Sequence, residues 1–102
     1  VYVAESDNNI YIYTSAGVAA SPASITGFNS PYALAFDANN NLYVSDTGNH
    51  QVEEFTSGNY LSSPANIFGS GTLSAPEGIA IDALANVYVV DSTTNQFFMF
   101  SN

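Results

Sequence analysis

The 102-residue sequence contains no lysine and no arginine but nine acidic residues, and its net charge at pH 7 is −9. Binding of nucleic acid depends on cationic side chains that neutralise phosphate groups, and attraction to anionic lipid surfaces depends on them as well. We therefore expect neither a nucleic-acid partner nor insertion into a membrane. The apolar fraction of 46% is ordinary for a folded domain, so the sequence predicts one small globular unit.

Cysteine is also absent, and histidine occurs once, at His50. Without cysteine there is no disulfide framework, and a single histidine cannot build a zinc site of several histidines within one chain. A lone histidine in a turn is typical of a solvated residue. The many serines are not accompanied by a Gly-x-Ser-x-Gly motif. The sequence therefore predicts a protein that is not an enzyme.

An initiator methionine is lacking at Val1, and no charged segment followed by an apolar one precedes the first apolar residues. We expect the chain to be either a processed protein or a fragment of a longer one. A surface rich in Ser, Thr and Asn without Lys or Arg also resists proteases that cleave after basic residues. These observations favour an extracellular or cell-surface location.

A repeat with a spacing of 45 residues is the main feature that the sequence does contain. Residues 30–55 align with residues 75–100 without a gap. The matching pairs are Pro31 and Pro76, Ala35 and Ala80, Asp37 and Asp82, Tyr43 and Tyr88, and Asp46 and Asp91. Repeats of about 20 to 50 residues are typical of solenoids and propellers, in which one repeat cannot bury its own apolar faces.

The rest of the chain consists of partial copies of this repeat. Residues 1–14 match the second half of the repeat, and a Ser-Pro-Ala motif at residues 21–23 returns at residues 63–65. Alternating β-branched and aromatic runs between Asx-rich turns predict ten strands and no helix. We expect a single domain over residues 1–102, with a partial unit at 1–28, a full unit at 29–69 and a partial unit at 70–102.

The segments PYALAFDANNNLYVSDTGNHQV and PEGIAIDALANVYVVDSTTNQ resemble the NHL repeat, and the resemblance extends over about two and a half copies. It implies an all-β fold in which each repeat is a four-stranded antiparallel blade of a β-propeller, usually six-bladed, with strand A nearest the axis and strand D outermost. The chain would then run B-C-D, A-B-C-D and A-B-C. A stacked cross-β fibril is the minority alternative, because Phe97–Phe100 form an uncharged apolar window.

The chain departs from the NHL pattern at three places, one of which is Tyr32-Ala33, where the middle copy replaces the usual x-Gly. The turn glycine is replaced by Asn40 and Ala85, and an alanine is strained there unless the turn changes type. The arginine of the pattern is replaced by Gln51 and Gln96, which keep an amide but lose the charge.

Clustered acidic and amide residues are the remaining candidates for chemistry. The turn at Asp37, Asn39 and Asn41 could supply oxygen ligands to calcium, but Asx side chains in such turns more often bond to their own backbone. We therefore expect no cofactor, with calcium as the weaker alternative. The repeated Asp46 and Asp91 are expected to cap turns. Neighbouring strand residues Glu53 and Glu54 point to opposite faces, so we expect a solvated or interblade edge instead of an acid–base pair.

The terminal units lack a strand each, and this determines the functional hypothesis. The first unit lacks strand A and the last lacks strand D, which leaves apolar unpaired edges that can pair with another chain. The candidate self-association residues are Val1, Tyr2, Val3, Phe97, Phe98, Met99 and Phe100. We expect a structural homo-oligomer or homopolymer, either a ring or a filament. The alternatives are a ligand- or protein-binding propeller module and a fragment of a larger NHL-type enzyme similar to a lyase or a lactonase.

Overall fold

Three antiparallel β-sheets form the protein, and the computed structural model describes the backbone of residues 1–101 and the side chains of residues 1–20 and 24–101. Ten strands follow each other along the described chain. They are β1 Tyr2–Ala4, β2 Ile10–Tyr13, β3 Ala19–Ile25, β4 Pro31–Phe36, β5 Leu42–Asp46, β6 Gln51–Phe55, β7 Asn66–Phe68, β8 Pro76–Ile81, β9 Val87–Asp91 and β10 Gln96–Phe100.

Each sheet contains strands that are consecutive in the sequence. Sheet 1 has the order β1-β2-β3, sheet 2 the order β4-β5-β6-β7 and sheet 3 the order β8-β9-β10. The all-β fold and the strand sequence expected for blades of a partial β-propeller are thus confirmed, and the sheets do not close into a barrel. Asn102, the last residue of the expected third unit, lies outside the described residues.

One short helical turn was not expected from the sequence. Thr47–Asn49 form a single 3₁₀ turn between β5 and β6, in which the His50 N–H donates to the Thr47 carbonyl. The turn lets the chain reverse over four residues, and Gly48 at its centre donates its N–H to the Asn29 carbonyl at 2.7 Å. The close approach of Gly48 to Asn29 ties the turn to the segment that leads into β4.

Equivalent strands of sheets 2 and 3 share the same registers, as the 45-residue repeat requires. Val44 lies opposite Leu34 and Glu53 in sheet 2, and Val89 lies opposite Ile79 and Phe98 in sheet 3. Both inner strands also show a register shift after their first residue, Pro31 or Pro76. A proline cannot donate to the ladder, which explains why each is tolerated only at the start of its strand.

Two apolar clusters hold the three sheets together. The first cluster, between sheets 1 and 2, has the buried residues Ile10, Ile25, Phe28, Leu42, Val44 and Phe55. The second, between sheets 2 and 3, has the buried residues Tyr43, Val52, Leu73, Val87 and Val89. Because Leu42 and Tyr43 are neighbours on β5, successive residues of one strand pack into different clusters, so sheet 2 is covered on both faces.

Candidate interaction surfaces

The turn after each inner strand is held by an aspartate. Asp37 Oδ1 accepts from the N–H groups of Asn39 (2.8 Å) and Asn41 (3.0 Å), and its Oδ2 accepts from Asn41 Nδ2 (2.8 Å) and the Tyr43 hydroxyl (3.2 Å). Burial opposes ionisation of Asp37, but the hydrogen bonds from Asn41, Asn39 and Tyr43 outweigh it and lower the pKa. The carboxylate oxygens that calcium would need are therefore engaged within the turn.

Asp82 repeats this arrangement in sheet 3. Its Oδ1 accepts from the N–H groups of Leu84 and Asn86, and its Oδ2 accepts from Asn86 Nδ2 and the Tyr88 hydroxyl. The side-chain and backbone hydrogen bonds from Asn86 are the main reason that the pKa of Asp82 is lowered. The same bonds in both copies show that these residues build hairpins.

Asp46 and Asp91 lie at the ends of equivalent strands, and Asp91 caps a turn as expected. Asp46 makes no side-chain cap bond to the backbone of the 3₁₀ turn after it, and accepts instead from the Asn29 N–H (2.7 Å) and from Asn49 Nδ2 (2.7 Å). The buried Asp91 accepts backbone N–H groups from Ser74 (2.6 Å), Ala75 (3.2 Å), Thr93 (3.1 Å) and Thr94 (3.2 Å). Burial alone would raise its pKa, but these four bonds outweigh it and lower the pKa. The carboxylate thus joins the turn after β9 to the segment before β8.

Glu53 and Glu54 point to opposite sides of β6, and of the two environments expected for them, solvated or interblade, the solvated one is wrong. Both side chains are buried. Glu54 accepts from the Tyr43 hydroxyl at 3.1 Å and from Asn66 Nδ2 at 2.6 Å. Glu53 shares a face of sheet 2 with Val44, and Glu54 shares the other face with Tyr43, so the two carboxylates lie on the faces that meet sheets 1 and 3 and accept from protein donors.

The ionisation of Glu53 is unfavourable in this position. Gln51 Nε2 donates to its Oε1 at 2.7 Å. Burial raises the pKa of Glu53, Gln51 opposes that shift, and the negative charge and hydrogen bond of Asp46 raise it further. Two carboxylates, Glu53 and Asp46, therefore share one buried corner of sheet 2.

His50 has a structural role that the sequence did not reveal. It lies exposed in the turn before β6, in the left-handed conformation with φ 60°, and its Nδ1 hydrogen-bonds to the Ser74 carbonyl 24 residues away. Two hydroxyls make similar contacts to carbonyls near the start of β8, from Ser45 to Glu77 (2.7 Å) and from Thr47 to Pro76. A row of polar bonds thus joins sheet 2 to the entry of sheet 3.

The C-terminal candidate residues divide between two faces of β10. Phe98 and Phe100 stack at 6.3 Å and pack against the cluster shared with sheet 2. Phe97 and Met99 point the other way, with 65% and 54% of their surface exposed. Among the described residues β10 pairs only with β9, whereas its equivalent β6 pairs with both β5 and β7. The strand therefore has an open edge next to an open face.

The N-terminal candidates are arranged in the same way. Tyr2 packs into the cluster between sheets 1 and 2, with its ring 5.0 Å from Phe36 and 5.8 Å from Tyr60. Val1 is exposed, and Val3 is half-buried opposite Tyr11. In the part of the chain that the structure describes, β1 pairs only with β2. Sheet 1 thus has an open edge as well.

A groove of about 490 Å³ opens beside Tyr2 and is lined by sheet 1 and the connection between β6 and β7. Tyr2 and Ile12 form one wall, and residues 58–62 form the other. Within residues 1–101 no group of three or more His, Asp or Glu side chains could hold a metal ion. No helix in that range is long and apolar enough to span a bilayer.

Comparison with known proteins agrees with the repeat and the fold. The family model of the NHL repeat matches residues 28–55, which cover β4, β5 and β6 of sheet 2. No curated protein is significantly similar to the chain. The matched segment is the copy that lies between the other two sheets and carries the hairpin of Asp37 and the turn of His50. Residues 28–55 thus form an NHL repeat, and the three antiparallel sheets are consistent with blades of a partial β-propeller.

Proposed function

We propose that the chain is a non-enzymatic structural module that self-associates through its terminal strands β1 and β10 into a ring or a filament, outside the cell or at its surface. NHL repeats are typical of β-propeller modules that bind other proteins. The observation that carries the proposal of self-association comes from sheet 2. There, β5 and β6, which are equivalent to β1 and β10, each pair with a strand on both sides.

The exposed side chains of β10 support this proposal. An unpaired strand edge presents free backbone donors and acceptors to another chain, and Phe97 and Met99 add exposed apolar surface next to it. Apolar patches of this kind mark interaction sites on soluble proteins. A structural role also fits the aspartates of the hairpins and turns, since their carboxylates bond to nearby backbone groups.

Light scattering coupled to size-exclusion chromatography, followed by electron microscopy at neutral pH, tests the proposal. The expected result is a particle of two or more copies of the 10.8-kDa chain, seen as closed rings or regular filaments. The double substitution Phe97→Asp and Met99→Asp is expected to abolish assembly. Phe98 and Phe100 are unsuitable for this test because they pack against sheet 2, so changing them would also disturb the fold.

The control is Leu84→Asp, which adds a carboxylate at an exposed apolar residue in the turn between β8 and β9. It is expected to assemble like the unchanged chain, because its equivalent Asn39 stays exposed in sheet 2, which is covered on both faces. An unchanged chain that stays monomeric at all concentrations would disprove self-association.

A further inference from the structure

The outer face of sheet 3, called here its front face, carries a compact apolar block. In the register of β9 and β10, Val90 lies opposite Phe97 and Tyr88 lies opposite Met99. The rings of Tyr88 and Phe97 are 5.8 Å apart, and Val90 is 49% exposed. A shallow depression of about 220 Å³ runs beside this block over Gly78. The four side chains form one continuous apolar surface.

The same face is covered in sheet 2. Tyr43 and Val52, which precede Tyr88 and Phe97 by 45 residues, are buried in the cluster that sheet 2 shares with sheet 3. The front face of one sheet therefore packs on the opposite, rear face of the sheet that follows. The repeat equivalence predicts that the front face of sheet 3 takes a rear face of the same kind.

Sheet 1 has such a rear face. Tyr2, on its front face, packs towards sheet 2, so Val3 and Tyr13 lie on the other side. By the repeat, Val3 and Tyr13 correspond to Val44 and Phe55, which receive sheet 1 in the first cluster. Val3, Tyr11 and Tyr13 are half-buried, and the two tyrosine rings lie 6.5 Å apart.

The turns that link neighbouring sheets point to the same contact. Asn8 and His50 are both in the left-handed conformation, and each bonds to the backbone just before the next sheet. Asn8 Oδ1 accepts from the Ser30 N–H, and His50 Nδ1 hydrogen-bonds to the Ser74 carbonyl. Asn95 holds the corresponding position in sheet 3, with φ 55°. The turn of sheet 3 at Asn95 thus has the same left-handed conformation as the turns that link sheet 1 to sheet 2 and sheet 2 to sheet 3.

We propose that the front face of sheet 3 packs on the rear face of sheet 1 in a second copy of the chain. The contact rests on the proposed self-association and specifies its partner and geometry. It joins two different surfaces, so it is heterologous and forms a ring when the rotation closes. Two copies supply six sheets, which lies within the four to eight blades of closed propellers. The assembly is a two-chain ring with two identical contacts.

Val90→Asp distinguishes this face contact from pairing of strand edges. Val90 lies on β9, the middle strand of sheet 3, which is paired on both sides and cannot join another edge. The unchanged chain is expected at twice its mass of 10.8 kDa. A charge buried without a partner in the contact raises the dissociation constant about 100-fold or more, so Val90→Asp is expected to be monomeric. Leu84→Asp, with a charge added in the exposed turn between β8 and β9, stays dimeric.

A mixing experiment tests the heterologous geometry. Tyr13→Asp damages the rear face, and Val90→Asp damages the front face, so each variant alone is expected to be monomeric. In an equimolar mixture the intact rear face of one variant meets the intact front face of the other, and a heterodimer is expected. Circular dichroism verifies that both variants are folded, and Val90→Glu provides a second front-face variant if Val90→Asp is not folded.

The outcomes separate the two proposals. A monomeric unchanged chain overturns both self-association and the face contact. If the unchanged chain assembles and folded Val90→Asp assembles with the same dissociation constant, the face contact is overturned and self-association through the strand edges still stands. Two monomeric variants that form no heterodimer overturn the heterologous geometry.

Discussion

Ala85 adopts the same left-handed backbone conformation as Asn40, the residue 45 positions before it, with φ 63° and 62° respectively. Each lies in the turn between the first two strands of its sheet, where its N–H donates to the carbonyl of the turn aspartate, Asp82 or Asp37. The turn type has therefore not changed to suit the alanine. An alanine in this conformation carries steric strain that asparagine tolerates better.

Ala85→Asn is accordingly expected to increase the free energy of unfolding by about 1 kcal/mol, and Asn40→Ala to decrease it by a similar amount. Urea denaturation of both variants and the unchanged chain measures this. Equal stabilities for all three would show that the turn stores no strain at either position.

Glu53→Gln is expected to stabilise the protein at neutral pH by on the order of 1 kcal/mol, because burial and the nearby Asp46 both disfavour the charged form of Glu53. The amide removes a buried negative charge near Asp46 and can still accept from Gln51. Because the pKa of Glu53 is raised on folding, its ionised form destabilises the fold above that pKa. The stabilisation by Gln should therefore diminish as the pH falls through the folded-state pKa of Glu53.

Thermal unfolding of both proteins between pH 4 and pH 8 measures this difference. Glu54→Gln is the control, since Glu54 accepts from Tyr43 and Asn66 and its replacement puts an amide donor against them. It is expected to lower the melting temperature. A stability difference for Glu53→Gln that does not change with pH would contradict the assignment.

Asp91→Asn is expected to destabilise the fold by about 2 to 3 kcal/mol, because hydrogen bonds to a charged acceptor are among the stronger ones. The amide nitrogen would face backbone donors that the carboxylate now accepts. The pKa of Asp91 is lowered on folding, so its contribution is complete above the unfolded pKa of about 3.9 and is lost as the pH falls through the folded pKa.

Chemical denaturation at pH 7 and in a series of more acidic buffers measures the effect of Asp91→Asn. The difference between the variant and the unchanged chain should be largest at pH 7 and shrink in strong acid. A constant difference over the whole series would mean that the ionised carboxylate is not what stabilises this turn.

Gly48→Ala is expected to destabilise the fold by about 1 to 3 kcal/mol, the usual range for overpacking. A Cβ on Gly48 would lie 2.5 Å from Asn29 Cγ and 2.6 Å from the Asn29 carbonyl oxygen. Gly78→Ala is the control. The nearest atoms to a Cβ there belong to Val90 at 3.8 Å, and the equivalent residue of sheet 2 is already Ala33. Equilibrium unfolding should show a loss only for Gly48→Ala.

The repeat made the strands and hairpins predictable, because Asp37 and Asp82 bond to residues close to them in the sequence. The burial of Glu54 was not predictable, since its donor Asn66 comes from a strand 12 residues later. The role of His50 was missed for the same reason. In β10 the four consecutive apolar residues carry no alternation, so the sequence could not show that Phe97 and Met99 are exposed while Phe98 and Phe100 are packed.

The polar bonds between neighbouring sheets all end on backbone atoms of the sheet that receives them. Asn8 accepts from a backbone N–H, and Ser45, Thr47 and His50 each donate to a backbone carbonyl. The receiving sheet therefore needs no particular side chain at these points. Duplication or removal of one 45-residue unit would therefore keep these polar bonds without matching substitutions, and only the apolar clusters between the sheets would have to fit the new neighbour.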